Sequence, residues 1–318
     1  MDPRIVEVAR TVVVDRCFDD LALDTGIEVV RETALNAGIA LLRETRTDYD
    51  LRAQRVTALA DAAIGQSHDI GRLYHAGMSR EDGADVHLWL GATIVAEAWQ
   101  IRGIGGTDAD RLGLFQDILR DAQEPLLTAA DLAPDDPVPW AILQNYAMGM
   151  GLDRANLDSL WSRVADRCPT LFFGNVRRLQ ALAAKWGGSH EEMFAFARAA
   201  SVSAPAGDPL SAMLPLAHAE YLAASGISAR RHFNANVVDE LVAAESRWRA
   251  AARPRPDSLW AHNIFGWAML RAGEDVRAVW HLSRVNRRPS SIPWAYEDDP
   301  ALAFASALVA LGMTVAQR

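Results

Sequence analysis

The chain has 318 residues, half of them hydrophobic and 23% charged, which is enough apolar material for one large domain or two small ones. Its formal net charge of −9 argues against a general binder of nucleic acid or of anionic membrane. Positive charge comes from 31 arginines and a single lysine, Lys185.

The N-terminal MDPRIVEVARTVVVDRC scatters charge among its apolar residues and has no small-residue cleavage site, unlike a secretory signal. A cytoplasmic protein is therefore expected, with Cys17 and Cys168 as reduced, buried thiols. The TVVV stretch is β-branched, but a lone strand has nothing to pair with, so it is read as helix. Helices are expected at about 27–44 and 48–63, and residues 1–82 form an irregular helical cap. From 83 to 318 a helical-repeat region follows, continuous with the cap as one domain. Its helices fall at about 87–103, 108–132, 137–150, 155–167, 170–184, 189–201, 208–225, 234–252, 257–272, 274–286 and 298–314, with the turn-rich IGGTD after Gly103. The apolar run 301–313 is too short to span a bilayer and suits a buried helix. Short loops between helices of this length make antiparallel neighbours. The fold class is thus all-α, an antiparallel helix-pair stack.

Two resemblances sharpen this expectation. In SLWAHNIFGWAMLRAGEDVRAVWHLSRVNRRPS (258–290), Gly266 stands at a close-approach position, Gly273 at the inter-helix turn, and Ala278 and Leu282 at second-helix packing positions. That pattern resembles a tetratricopeptide repeat, although Pro289 arrives one residue early and no clean 34-residue period recurs upstream. The segment 137–169, with Trp140, Leu143, Ala147 and Pro169, is similar in outline but degenerate. Separately, EAWQIRG (97–103), PVPWAILQNYAMGMGL (137–152) and KWGGSHEEMFAFAR (185–198) resemble an uncharacterised family of bacterial, largely actinobacterial, helical-repeat proteins with a KWGGS signature. The first resemblance implies helical-repeat packing, and the second brings no activity.

The KWGGS tract has legible chemistry. Ser189-His190-Glu191-Glu192 fits a capping box, and Gly187-Gly188 supplies a turn able to take positive φ just before it. A helix N-terminus flanked by Lys185 and His190 could hold a small anion, so Lys185, Trp186, Gly187, Gly188, Ser189 and His190 form a candidate ligand site. The alternative is structural, with Trp186 packed in the core and Lys185 on the C-terminal carbonyls of helix 170–184.

Other chemistry is sparse. His218-Ala-Glu220 mimics an H-x-E zinc motif without the PCxxC that would complete it, and no HExxH, paired ExxH or GxSxG occurs. No catalytic residue, metal or cofactor is assigned. Residues 227–291 hold 11 Arg against 6 Asp or Glu, and most of the ten tryptophans sit at helical spacing suited to core packing. Arg247, Arg249, Trp260, His262, Trp267 and Trp280 could instead line a concave face that takes a peptide or protein partner. The expected function is partner binding through that aromatic and arginine surface; the alternative is a small-molecule-binding protein or enzyme with its anion site at the KWGGS loop.

Overall fold

The computed structural model describes residues 2–103 and 109–313; the IGGTD turn and the end of the helix expected at 298–314 lie outside the described residues. Every regular element among the described residues is a helix. None of these helices is long and apolar enough to cross a membrane. The chain divides into two compact units, Asp20–Ala181 and a second made of Met1–Asp19 with Leu182–Arg318. The expected division at 82/83 would fall inside a helix running Arg80–Arg102.

Side-chain caps start many of the helices. Asp20, Asp48, Ser79, Asp153 and Asp299 each accept a hydrogen bond from a backbone N–H in the first turn of the helix that follows. Such a bond satisfies one of the donors that a helix N-terminus leaves free.

In the Asp20–Ala181 unit, the Arg80–Arg102 helix is the axis. It packs against Leu35–Arg43, Tyr49–Ala62, Ala109–Arg120, Gln123–Leu132 and Val138–Met150. A buried ionic knot ties this unit together. Arg52 Nη2 lies 2.8 Å from Asp85 Oδ1 and Arg52 Nε lies 2.5 Å from Asp136 Oδ2, with all three side chains almost fully buried. Arg46 reaches the other oxygen of Asp85 at 2.5 Å. Burial pushes the Asp136 carboxyl up, against the pull of Arg52.

Two expected helices are each broken in two. The stretch 27–44 holds the second half of Leu21–Arg31 and the whole of Leu35–Arg43, separated at Thr33, whose φ is 67°. The stretch 108–132 contains Ala109–Arg120 and Gln123–Leu132. Pro125 lies in the first turn of the latter, where its missing N–H costs nothing but from which a ladder could not be continued upstream.

The second unit takes in both ends of the chain. The Pro3–Ala9 helix packs on the Pro300–Ala310 helix. Val13 N–H donates to Arg287 O at 2.9 Å and Asp15 N–H to Pro289 O at 2.8 Å, and the Asp15 carboxylate accepts from Ser291 N–H at 2.6 Å. The TVVV stretch is thus neither strand nor continued helix; it docks as an irregular arm. Further along, Ser258–Arg271 and Asp275–Val285 form a tight hairpin. A Cβ on Gly266 would come within 2.2 Å of Leu282 Cδ2, which is why the first helix carries no side chain there.

Candidate functional site

The KWGGS tract lies in the second unit. Ala184–Trp186 makes one 3-10 turn, Gly187 adopts φ +85°, and Ser189 Oγ accepts from Glu192 N–H at 3.1 Å to start the His190–Ser203 helix. A Cβ on Gly188 would stand 2.1 Å from the backbone oxygen of Leu182, so this position needs glycine for close approach. The Glu192 carboxylate accepts from the Ser189 hydroxyl at 3.2 Å.

Lys185 neither caps a helix nor stands free. Its Nζ lies 2.7 Å from Oε2 of Glu220, a carboxylate with a side chain only 2% exposed. Tyr296 donates its hydroxyl to the other oxygen, Oε1, and the ammonium also lies 5.6 Å from the Tyr296 ring centroid. Trp186 is half-buried. His190 packs edge-on against Tyr221, with ring centroids 4.8 Å apart, and its buried Nδ1 has no hydrogen-bond partner among the described residues. Next to this, His218 Nδ1 and His232 Nε2 are 2.7 Å apart. Burial first, and then the neighbouring His232 and Arg198, lower the His218 pKa to about 3, so its imidazole is neutral.

The residues expected to form a concave aromatic surface divide. Trp267 is buried and donates Nε1–H to Glu297 at 2.8 Å, and Arg247 caps carbonyls at the end of the His190–Ser203 helix, at 2.7 Å from Val202 O. Trp260 is half-buried. By contrast Arg249, His262 and Trp280 come together. The Arg249 guanidinium carbon lies 4.0 Å from the Trp280 ring centroid and that of Arg284 lies 3.8 Å from it, while His262 packs T-shaped on the same ring at 5.3 Å. Arg249 and Arg284 are exposed and Trp280 is half-exposed. Val276, 85% exposed, continues the stripe one turn before Trp280.

Behind this ring sits Glu245, fully buried. Arg249 Nη1 lies 3.1 Å from its Oε1, and Arg277 pairs with its Oε2. Burial alone would raise its pKa, but His281, Arg249 and Arg277 outweigh burial and hold it below the usual range. His281 Nε2 approaches Oε1 at 3.3 Å, a contact longer than a good hydrogen bond, and His281 Nδ1 meets His262 Nδ1 at 2.9 Å. Burial, His281 and Arg284 together push the His262 pKa down to about 2.

Sequence reasoning missed Glu220, Tyr296, Glu245, His281 and Arg284. Only Arg284 had a local signal, since it follows Trp280 by four residues on one helix. No group of three or more His, Cys, Asp or Glu among the described residues could hold a metal ion. No family model, curated protein or solved structure matches this chain.

Proposed function

We propose that this protein binds an acidic peptide or protein segment on the face formed by Trp280, Arg249 and Arg284, as a tetratricopeptide-like helical-repeat protein of the cytoplasm. One observation carries the reading. Two exposed guanidinium groups lie within 4.0 Å of one half-buried indole centroid; Arg249 also pairs with Glu245, but Arg284 has no carboxylate partner among the described residues. Like-charged groups held so close repel each other, and an anion between or beside them relieves that repulsion. An indole with flanking arginines and an apolar neighbour, Val276, is the composition of a binding hot spot.

The small-anion reading of the KWGGS loop has less support. The Lys185 ammonium is already matched by Glu220, and Glu191 and Glu192 occupy the first helical turn. An incoming anion would meet three carboxylates there.

The test is fluorescence anisotropy with labelled hexaglutamate and hexalysine at low salt and at 0.15 M. Hexaglutamate should bind and hexalysine should not. The Arg249→Ala/Arg284→Ala double variant should lose roughly tenfold or more in affinity, the scale of one lost charge-assisted hydrogen bond. Equal binding of hexaglutamate by the double variant would sink the reading.

A further inference from the structure

Glu245, His281 and His262 form a chain of buried groups that ends at the Trp280 ring, and its geometry fixes where the hydrogens sit. The Glu245 carboxylate faces His281 Nε2 at 3.3 Å. A bare nitrogen lone pair there would be repelled by the carboxylate, so Nε2 carries the hydrogen. His281 is fully buried, and burial keeps it neutral despite Glu245. Its Nδ1 is therefore a bare acceptor, and the 2.9 Å contact requires His262 to donate from Nδ1–H. His262 is then left with a bare Nε2. No hydrogen bond to that atom occurs among the described residues and it is not one of the fully buried unpartnered atoms, so the small exposed part of His262 includes it. The charge of Arg284 acts on the same ring and disfavours its protonation.

We infer that His262 Nε2 is a fixed hydrogen-bond acceptor that selects among ligands of this surface. The class it selects is an anion carrying an N–H or O–H donor next to its negative group, which an acidic peptide supplies with its side-chain carboxylate and backbone amide. Arg249 and Arg284 attract the charge, and His262 reads the donor. A ligand with the same charge and no donor leaves Nε2 desolvated and unpaired. This inference rests on the acidic-partner reading of the surface, whereas the tautomer of His262 does not.

Two measurements on the full chain separate them. In protein labelled with ¹⁵N-histidine, long-range ¹H–¹⁵N correlation at pH 7 should show His262 protonated on Nδ1 and bare on Nε2. Hexaglutamate should then bind roughly three- to tenfold more tightly than its backbone N-methylated counterpart, which has equal charge and lacks the amide donors. In a folded His262→Phe variant the two peptides should bind alike. Should that variant not fold, both wild-type measurements still decide. A hydrogen on Nε2 overturns the inference even if hexaglutamate binds, and so does equal affinity of wild type for the two peptides. A preference that survives in folded His262→Phe also overturns it. If hexaglutamate fails to bind at all, the acidic-partner reading falls and takes the ligand class with it, while the tautomer still tests the Glu245–His281–His262 chain.

Discussion

Lowering the pH from 7 to 5 should destabilise the unit that contains His218 and His262, by an amount the structure allows to be worked out. Both are buried, at 2% and 8% exposure, and both have folded pKa values far below the ordinary imidazole value of 6.5, at about 3 and about 2. A group with a depressed folded pKa binds its proton in the unfolded chain first. Stability is therefore full above pH 6.5 and is lost as pH falls towards the folded value. From 6.5 to 5 is about 1.5 units at about 1.36 kcal/mol each, or ~2 kcal/mol per histidine and ~4 kcal/mol for the two. That is a large share of the ~5–15 kcal/mol by which domains are stable. The assay is urea unfolding of wild type and His218→Phe at both pH values. Wild type should lose at least ~4 kcal/mol, since burial also lowers His232 and His281, and the variant should lose ~2 kcal/mol less, because one titrating group is gone. Carboxylates common to both proteins cancel in the comparison. A wild-type loss under ~1 kcal/mol, or an undiminished loss in the variant, would refute the reasoning.

The other predictions concern packing and ion pairs. Lys185→Met should cost ~1–3 kcal/mol by taking the ammonium away from the buried Glu220 carboxylate, and adding Glu220→Gln should recover much of it in a double-mutant cycle. The same Lys185→Met protein, melted with phosphate or succinate, tests the small-anion reading: a ligand-dependent rise in Tm seen only in wild type would revive it. Gly188→Ala should cost about 1–3 kcal/mol in urea unfolding, because its Cβ meets the Leu182 carbonyl, a backbone atom that cannot rotate away. Arg52→Met should cost ~3–5 kcal/mol by taking the ion-pair partner from buried Asp136 and one of two arginines from Asp85, read as lost hydrogen-exchange protection in Asp20–Ala181.

The all-helical architecture was legible because it is written in local terms: apolar periodicity and capping side chains. The helices Val138–Met150, Arg154–Arg167, His190–Ser203, Ser258–Arg271 and Asp275–Val285 lie within two residues of expectation at each end. The breaks at Thr33 and before Pro125 were hidden because the apolar pattern runs through them. A hydrophobic stripe says that a face is buried and does not say against what. That is why Lys185 and Glu220, 35 residues apart, and Asp15 and Ser291, 276 apart, could not be paired in advance. The same holds for the arginine and tryptophan surface. Arg247 and Arg249 look equivalent in sequence, yet one caps backbone carbonyls and the other lies against Trp280.

The solitary lysine acquires a physical reason from its surroundings. Glu220 presents two oxygens in a nearly dry setting: Oε2 takes the Lys185 ammonium and Oε1 takes the Tyr296 hydroxyl. An arginine at 185 would present a planar fork whose two parallel donors favour both oxygens of one carboxylate. Such a fork would compete with Tyr296 for the second oxygen. A compact ammonium takes a single oxygen and leaves the second free, and its charge rests 5.6 Å from the Tyr296 ring centroid as well. In a chain with 31 arginines, position 185 is thus one where a compact point charge takes one carboxylate oxygen and leaves the other to Tyr296. The Lys185 charge is thus met within its own junction, whereas Arg284, beside Trp280, has no carboxylate partner among the described residues.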